Sequence, residues 1–587
     1  MSKPGNQRQL DTLLQQAVAL QQNGALAEAE ELYREILAIR PKHFDALQLL
    51  GALSLQAGRL DDGIAFLKKA VSIDGMHAPI HSNLAFALNA KQQYKDALAS
   101  ANRALALMPN FADALNNRGT ALGALDAPAE ALASFDRALA LKPDMPEAWN
   151  NRSCVLRDLD RPADALTSCD HAIVLRPNYA EAWSNRGNAL SDLNRPQEAE
   201  QSYHQAIAAQ QTLADAWNNL GLALVDMNRH ADALSSYDRA LALKPDSVEG
   251  HWNRALCLLQ MGNLDAGWQE YEWRWRRNRS KASLRAFTQP LWLGAESLEG
   301  KTILLHAEQG LGDTLQFCRY APMVAKLGAK IVLEVQPELM RLLGPLEGVT
   351  QLVAQGQPLP AFDTHCPLLS LPLAFKTDLA SIPGTTPYLF AAPEAVTHWG
   401  SRVAAAMDAS SSGADTLKVG LVWAGGNRPH VPELRKNDAR RSLALERLIP
   451  LLDVPNVQFF SLQKGPPAQQ LAALHERHEA SPRSVARHII DLTAELTDFA
   501  DTAALVSNLD LVISVDTSTA HLAGAIGKPV WILNRLDTCW RWMLGRDDSP
   551  WYPDVRLFRQ PTLGDWDSVI DSAREALIAL AATQAAT

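Results

Sequence analysis

Two short segments in the second half of the chain carry side chains that can do chemistry at the end of a strand. The first follows the apolar run TILLHAE and contains Gly310, Gly312 and Asp313. The second follows DLVISVD and contains Asp516, Thr517, Ser518, Thr519 and His521. A carboxylate at such a strand end can act as a general base or cap the next helix. The N–H groups and dipole of a helix that opens with hydroxyl residues favour phosphate.

Weaker candidates follow two other apolar runs. Gly425 comes after KVGLVWA, and a glycine there allows the backbone to approach a ligand closely. Arg441 in NDARRS and Lys464 after VQFFSLQ can each pair with phosphate or remain solvated. A dense aromatic–arginine segment at 540–552 can stack a nucleobase or sugar, or pack between two halves of a domain.

Several common nucleotide and metal motifs are incomplete. The sequence Gly300-Lys301-Thr302 has Ala295 where a P-loop needs its first glycine, and Leu315 replaces the third glycine of a dinucleotide fingerprint. Asp-x-Asp pairs occur at 158–160 and 565–567, where they are typical of turns and helix caps. We therefore expect neither a metal nor a cofactor.

The two opening segments, in this order, resemble the heptosyltransferase family of glycosyltransferases, family 9, over roughly residues 300–560. In that family a Gly-Asp loop follows the first strand, and a later motif reads D-[TS]-G-x-x-H-x-A-x-A-x-G-x-P. Ser518 stands in place of the glycine of this second motif.

The resemblance implies a GT-B fold, inverting transfer without a metal, and a second half that binds the activated sugar. It places the catalytic base at Asp313. Thr517 and Ser518 would then donate hydroxyl hydrogens to the phosphates of a nucleotide sugar, His521 would donate to the same diphosphate, and Asp516 would contact a sugar hydroxyl.

Strand-like apolar runs alternate with helical stretches from residue 301 onward, which predicts α/β structure with parallel sheets. We expect two Rossmann-like halves, at 301–408 and 415–565, joined by the small-residue segment 409–414. A helix and tail at 566–587 are expected to cross back to the first half.

The first half of the chain repeats every 34 residues. Prolines recur in this frame at Pro41, Pro109, Pro143, Pro177 and Pro245, and two rows of alanine recur beside them. The pattern resembles tetratricopeptide repeats and predicts an α-helical superhelix of about eight repeats at 10–281. Residues 1–9 are expected to be flexible, and 282–300 to form a linker.

An asparagine column runs through the repeats without a gap. Its members are Asn83, Asn117, Asn151, Asn185, Asn219 and Asn253. An amide offers both a donor and an acceptor, so a column of amides can grip an extended peptide backbone. O-GlcNAc transferase carries a similar ladder, although the same residues can instead bridge neighbouring repeats. We favour the peptide-gripping interpretation.

Composition narrows the partners. The formal net charge is −10, which argues against bulk nucleic-acid binding. The polar start of the chain and the absence of a long apolar run predict a cytoplasmic protein without a membrane span. Aromatic and basic residues interleave at 266–279, and we expect this segment to dock the repeats onto the next domain.

These features predict a glycosyltransferase that moves a sugar from a nucleotide-sugar donor to Ser or Thr of a protein held by the repeats. The layout resembles bacterial enzymes that glycosylate flagellins or other surface proteins. Two alternatives stay open: a protein-interaction scaffold with a non-catalytic transferase-like domain, and a transferase with a polysaccharide or lipid-linked acceptor.

Overall fold

The computed structural model describes residues 4–277, 285, 287–410, 416–426, 432–478 and 489–585. The chain forms two compact units, Met1–Ala223 and Leu224–Thr587. The first consists of helical repeats. The second contains the end of the repeat array together with two parallel β-sheets.

The repeat region is built from consecutive pairs of helices, and each pair forms a hairpin. In chain order the helices are α1 (Pro4–Gln22), α2 (Leu26–Ile39), α3 (Phe44–Gln56), α4 (Leu60–Ile73), α5 (Ala78–Ala90), α6 (Tyr94–Leu107), α7 (Ala112–Ala124), α8 (Pro128–Leu141), α9 (Pro146–Asp158), α10 (Pro162–Leu175), α11 (Ala180–Asp192), α12 (Pro196–Ala209), α13 (Ala214–Asp226), α14 (His230–Leu243), α15 (Val248–Gln260) and α16 (Leu264–Tyr271). Residues 4–9 belong to helix α1, and the expectation of a flexible start stays a prediction.

One left-handed residue turns the chain between the two helices of each pair. These residues have φ between 56° and 80° and are Gly24, Gly58, Gln92, Asp126, Asp160, Asn194, Asn228 and Gly262. Glycine, asparagine and aspartate adopt this conformation at low cost, which is why they recur at the turn. Asp160 of the first Asp-x-Asp pair is one of them, as the sequence interpretation expects.

The two alanine rows lie where helices pack closely. Their members are at most 2% exposed and are Ala70, Ala97, Ala104, Ala131, Ala138, Ala165, Ala172, Ala199, Ala206, Ala233 and Ala240. Small side chains let the helix backbones approach, so larger residues at these places would overpack the core. Arg152 adds a polar cross-link, donating from Nε to Asp136 at 2.6 Å and from Nη1 to Ser168 at 2.7 Å.

All strand pairings in the second unit are parallel. The first sheet has the order β3-β2-β1-β4, and its strands are β1 (Thr302–His306), β2 (Lys330–Val335), β3 (Val349–Ala354) and β4 (Thr364–Pro367). The second sheet has the order β10-β9-β8-β5-β6-β7, and its strands are β5 (Leu417–Val422), β6 (Val457–Ser461), β7 (Ile489–Asp491), β8 (Leu511–Val515), β9 (Val530–Asn534) and β10 (Val555–Arg559). Two parallel sheets agree with the predicted pair of Rossmann-like halves.

Helices connect and cover these strands. They are α17 (Leu311–Phe317), α18 (Ala321–Ala325), α19 (Met340–Leu343), α20 (Leu371–Ala374), α21 (Pro393–Ala409), α22 (Pro432–Arg441), α23 (Ile449–Leu452), α24 (Gln469–His478), α25 (Phe499–Ser507), α26 (Ser518–Ala525) and α27 (Trp566–Ala585). Among the described residues, none of the helices combines the length and apolar composition that crossing a bilayer requires.

One connecting segment differs from expectation. Within the predicted linker 282–300, Trp292 is buried. Its backbone N–H donates to the His365 carbonyl at 2.8 Å, so this part of the segment is attached to the first sheet. Most of the other predicted linker, 409–414, lies outside the described residues. Helix α27 packs its apolar face with Trp531 and Phe558 of the second sheet. The expectation that it crosses to the first half is therefore wrong.

Candidate functional site

The two opening segments of the sequence meet in the second unit. Helix α17 begins after β1 and helix α26 begins after β8, so each follows the carboxyl end of a parallel strand. A Cβ atom on Gly312 would lie 2.9 Å from His521 Cδ2 and 3.3 Å from Ser518 Cα. Only glycine permits so close an approach, and the first turns of the two helices thus face each other.

Asp313 lies in the first turn of α17. Its Oδ2 accepts the N–H of Gly310 at 2.8 Å, which caps the helix start. Its Oδ1 is bound by the guanidinium of Arg541, from the short 3-10 turn Trp540–Trp542. The carboxylate therefore caps the helix, which is one of the two roles that the sequence left open. It also pairs with an arginine of the second half.

Arg541 is held from several sides. It is 8% exposed, donates from Nε to Gln316 at 2.7 Å and from Nη1 to Cys539 Sγ at 3.2 Å, and lies 4.2 Å from the Trp540 ring centroid. Burial lowers the pKa of Arg541 but the Asp313 carboxylate raises it, and the net pKa is above its usual value. Sequence reasoning assigned this residue no individual role, although a charge inside an aromatic run was a signal.

His521 is buried beside the same turn. Its ring stacks on Trp542 with centroids 5.2 Å apart and planes 17° apart, and its Nδ1 lies 3.0 Å from the Tyr552 hydroxyl. Burial first, and then the nearby positive charge of Arg541, lower the pKa of His521 to about 3. The imidazole is therefore neutral at physiological pH and acts as a hydrogen-bonding group.

The start of α26 presents the remaining residues of the second segment. Thr517 is the N-cap residue, and its hydroxyl lies 2.9 Å from that of Ser514. Ser518 and Thr519 form the first helical positions, where backbone N–H groups lack intrahelical partners. Asp516 joins this turn to β8. The arrangement suits an anion at the helix start.

Arg441 and Gly425 lie close to this turn. Arg441 donates from Nη1 to the Asp516 carbonyl at 3.1 Å and from Nη2 to Asp438 Oδ1 at 2.7 Å. A Cβ atom on Gly425 would come within 2.5 Å of Arg441 Nε. Arg441 thus contacts the second segment and Gly425 lies against Arg441, while a contact of either residue with a donor stays a prediction.

Lys464 has a different local environment. Its Nζ donates to the carbonyl oxygens of Thr493 at 3.0 Å and Leu496 at 2.7 Å. The ammonium group thereby holds the turn between β7 and α25. A contact of Lys464 with a donor stays a prediction.

A buried ion-pair network supports the loop that precedes Asp313. Arg274, from the segment after α16, is 2% exposed and donates from Nη2 to Glu308 at 2.9 Å and to Ser370 Oγ at 2.7 Å. Arg274 also donates to Glu272 at 2.5 Å. Burial raises the pKa of Glu308 to about 7, against the effect of Arg274. Sequence reasoning missed Glu308 because its partner lies in another motif.

The aromatic–basic segment that begins in helix α16 packs within the second unit. Trp268 donates from Nε1 to the Thr377 carbonyl at 3.0 Å and lies 5.2 Å, edge to face, from Trp540. Tyr271 accepts a hydrogen bond from Gln309 in the β1–α17 loop at 3.3 Å. These contacts agree with the docking interpretation and involve the loop of the candidate site directly.

The asparagine column makes hydrogen bonds between repeats. Asn117 donates to the Ser82 carbonyl at 3.0 Å, and Asn185 donates to Asn150 Oδ1 at 2.9 Å. Donations to the preceding repeat are also made by Asn151 and Asn219. Bridging between repeats, the alternative that the sequence left open, is thus present. Within the part of the chain that the structure describes, Asn83 has no hydrogen-bond partner for its amide.

Family comparisons agree with both parts of the chain. Tetratricopeptide repeat profiles match residues 20–85, 84–146, 180–212 and 214–247. The profile of glycosyltransferase family 9 (heptosyltransferase) matches residues 465–533, which include Asp516 and His521 but not Asp313. The chain therefore combines tetratricopeptide repeats with a family 9 glycosyltransferase domain, which points to a glycosyltransferase with a protein-interaction region.

Individual relatives are distant. Protein FlbA of Caulobacter vibrioides is 29% identical over 350 residues, and the match spans 56% of this chain and 55% of FlbA. A tetratricopeptide repeat protein from Parabacteroides merdae is 16% identical with a TM-score of 0.36, over 43% of this chain and 99% of that one. A thermophilic TPR protein from Thermus thermophilus is 24% identical with a TM-score of 0.29, over 31% of this chain and all, 100%, of that one.

Proposed function

We propose that this chain transfers a sugar, with inversion, from a nucleotide-sugar donor to a Ser or Thr hydroxyl of a protein bound by the repeats. The observation that carries the proposal is the meeting of two strand-end segments, one with Asp313 and the other with His521. Ligands of parallel α/β folds bind at the carboxyl ends of the strands. The match to a family 9 domain supports the same reaction class.

The proposed reaction exchanges one C–O bond for another. The hydroxyl oxygen of the acceptor attacks the anomeric carbon while its proton passes to the Asp313 carboxylate. The bond from that carbon to the phosphate oxygen breaks, and its electron pair leaves with the nucleoside diphosphate. Inversion follows because attack and departure occur on opposite faces of the sugar.

The second segment is suited to the leaving group. Backbone N–H groups at the start of α26 and the hydroxyls of Thr517 and Ser518 would donate to the phosphates. We assign to neutral His521 the tautomer in which Tyr552 donates to Nδ1, so that the ring proton is on Nε2 and can be donated to the same diphosphate. Asp516 would accept from a sugar hydroxyl. This set supplies donors without a metal or another cofactor.

The repeats would supply the acceptor. Tetratricopeptide repeats present a row of first helices on which a protein segment can lie. We assign the asparagine column to this surface, with Asn83 as the member whose amide has no partner within the described residues. Flagellin or another surface protein, modified in the cytoplasm, is the acceptor class we propose.

The test is transfer by the purified chain. The protein is incubated with a panel of nucleotide sugars and with candidate acceptor proteins, and intact-mass spectrometry reports each added sugar. Asp313→Asn, which keeps shape but cannot accept the proton, should slow transfer by about 10²- to 10⁴-fold. Asp548→Asn is the matched control because Asp548 pairs with Arg546 at the surface.

Each alternative has its own result. Rapid transfer by Asp313→Asn contradicts the base assignment. Transfer to a polysaccharide or lipid-linked acceptor, with no mass change in any protein, contradicts the protein acceptor. Binding of proteins with no transfer from any donor favours a non-catalytic scaffold.

A further inference from the structure

The turn Trp540–Trp542 touches both residues that the proposed reaction needs. Its central residue, Arg541, binds the Asp313 carboxylate, and its last residue, Trp542, stacks on His521. The turn lies beyond the segment that matches the family 9 profile, which ends at residue 533. The profile match therefore does not cover the contacts of this turn.

The guanidinium of Arg541 is fixed in direction as well as in place. Arg541 donates from Nε to Gln316 Oε1 at 2.7 Å and from Nη1 to Cys539 Sγ at 3.2 Å, and its guanidinium lies 4.2 Å from the Trp540 ring centroid. These three partners are neutral. The ion pair of the guanidinium is the one between its Nη2 and the Asp313 carboxylate. A buried guanidinium needs an anionic partner because its desolvation is otherwise uncompensated.

The starts of helices α17 and α26 lie against each other beside this ion pair. At Gly312 the two helix starts are so near that a Cβ atom would lie 2.9 Å from the His521 ring. In the proposed reaction the donor diphosphate lies at the first turn of α26, next to this close approach. The Asp313–Arg541 pair lies beside it, because Asp313 is in the first turn of α17 and Trp542, the neighbour of Arg541, stacks on His521 of α26.

Asp313 is also not free to act as a base while it is paired with Arg541. Its Oδ1 is bound by Arg541 and its Oδ2 accepts the Gly310 N–H, so both carboxylate oxygens already accept hydrogen bonds. Asp313 therefore needs to leave Arg541 before it can accept the proton of an acceptor hydroxyl. A diphosphate is the partner that can replace it, because arginine binds phosphate oxygens through paired N–H donors.

We propose that Arg541 binds the diphosphate of the donor, and that Asp313 occupies Arg541 only until the donor arrives. Donor binding would thus free the base at the moment when it is required. This inference rests on the proposed function and adds to it a diphosphate-binding residue and a coupling between donor binding and the base.

Nucleotide affinity tests the exchange without relying on transfer. Isothermal titration calorimetry of the full chain with ADP, UDP, GDP and CDP identifies the nucleoside diphosphate that binds. Arg541→Gln should weaken its Kd by about 10- to 100-fold, because a charge-assisted contact to phosphate is lost. Arg546→Gln is the matched control, since Arg546 lies in the same segment but pairs with Asp548 at the surface.

Asp313→Asn should change the Kd in the opposite direction. It therefore tests the exchange even if Arg541→Gln weakens binding through a folding defect. Removing the competing charge should tighten the Kd by about 3- to 10-fold. In the double variant Asp313→Asn with Arg541→Gln, this gain should vanish because the two residues act through one contact. A purely structural role for Arg541 predicts instead that Asp313→Asn leaves the Kd unchanged or weaker.

The outcomes separate this inference from the proposed function. If the wild-type chain binds a nucleoside diphosphate and transfers sugar, but Asp313→Asn does not bind the nucleotide more tightly, the exchange is wrong and the transferase stands. If the wild-type chain binds none of the four nucleotides, both are contradicted. Tighter binding by Asp313→Asn and weaker binding by Arg541→Gln together support the exchange.

Discussion

The two units of the chain use charged side chains in different ways. In the first unit an arginine–aspartate contact such as Arg152–Asp136 recurs with the repeat as Arg186–Asp170, and the aspartates of these pairs are 50% and 52% exposed. In the second unit Arg274 and Glu308 pair at 2% and 3% exposure. The repeats thus use equivalent ion pairs with exposed carboxylates, whereas the pair next to the candidate site is buried.

The largest difference between the units should appear when one arginine is removed from each. Arg274→Gln leaves Glu308 buried without its cation and should lower the free energy of unfolding by about 3–5 kcal/mol. Arg152→Gln removes an ion pair with the exposed Asp136 and a hydrogen bond to Ser168, and it should cost about 1–2 kcal/mol. Urea unfolding followed by tryptophan fluorescence measures both, and equal losses would contradict the contrast.

A smaller effect is expected from acid, and it should originate in the second unit. Burial lowers the pKa of both His306 and His521 to about 3. The unfolded chain therefore binds more protons than the folded chain between pH 3 and the ordinary histidine pKa of about 6.5, and stability falls as pH decreases through this window. From pH 7 to pH 5 the loss should be about 2 kcal/mol for each histidine.

His306→Gln isolates this contribution, because His306 lies in β1 and makes none of the contacts described for Asp313 and His521. The raised pKa of Glu308 acts in the opposite direction, so the informative quantity is the difference between wild type and variant. Urea unfolding at pH 5, 6 and 7 should show a shallower acid loss in His306→Gln. An unchanged slope would contradict the assignment of a neutral, buried His306.

The smallest expected effects concern the asparagine column and test its two roles separately. Asn83→Ala should weaken acceptor binding by a few-fold, about 0.5–1.5 kcal/mol, and leave stability nearly unchanged because its amide makes no hydrogen bond within the described residues. Asn117→Ala removes a buried donor to Ser82 and should mainly lower stability, by about 1 kcal/mol. Acceptor affinity and thermal unfolding are measured on both variants. The peptide-gripping role fails if Asn83→Ala leaves acceptor affinity intact.

The strands show which parts of the fold the sequence could predict. Long apolar runs identify β1, β2, β5, β6, β8 and β9, because strands buried on both faces contain few polar residues. Strand β3 was not predicted because VTQLVA is partly exposed. Strands β4 and β7 were not predicted because THCP and IID are short. A strand that is incompletely buried or very short is defined by its pairing with neighbouring strands, because its own residue pattern is too weak to predict it.

The candidate site divides in the same way. Gly312 and His521 belong to motifs that are visible in the sequence, so their proximity could be expected from two parallel sheets. Arg541 meets Asp313 across 228 residues of sequence, and Arg274 meets Glu308 through a segment outside both sheets. Such partners depend on tertiary packing, which a local pattern does not encode.

The central claim is that the second unit glycosylates a protein and that Asp313 is the base. The most direct measurement is intact-mass spectrometry of flagellar and other surface proteins from cells with the wild-type gene, with the Asp313→Asn gene and without the gene. We predict sugar mass on an acceptor only with the wild-type gene. Identical protein masses in all three cell types, with both forms of the protein expressed and folded, would contradict the claim.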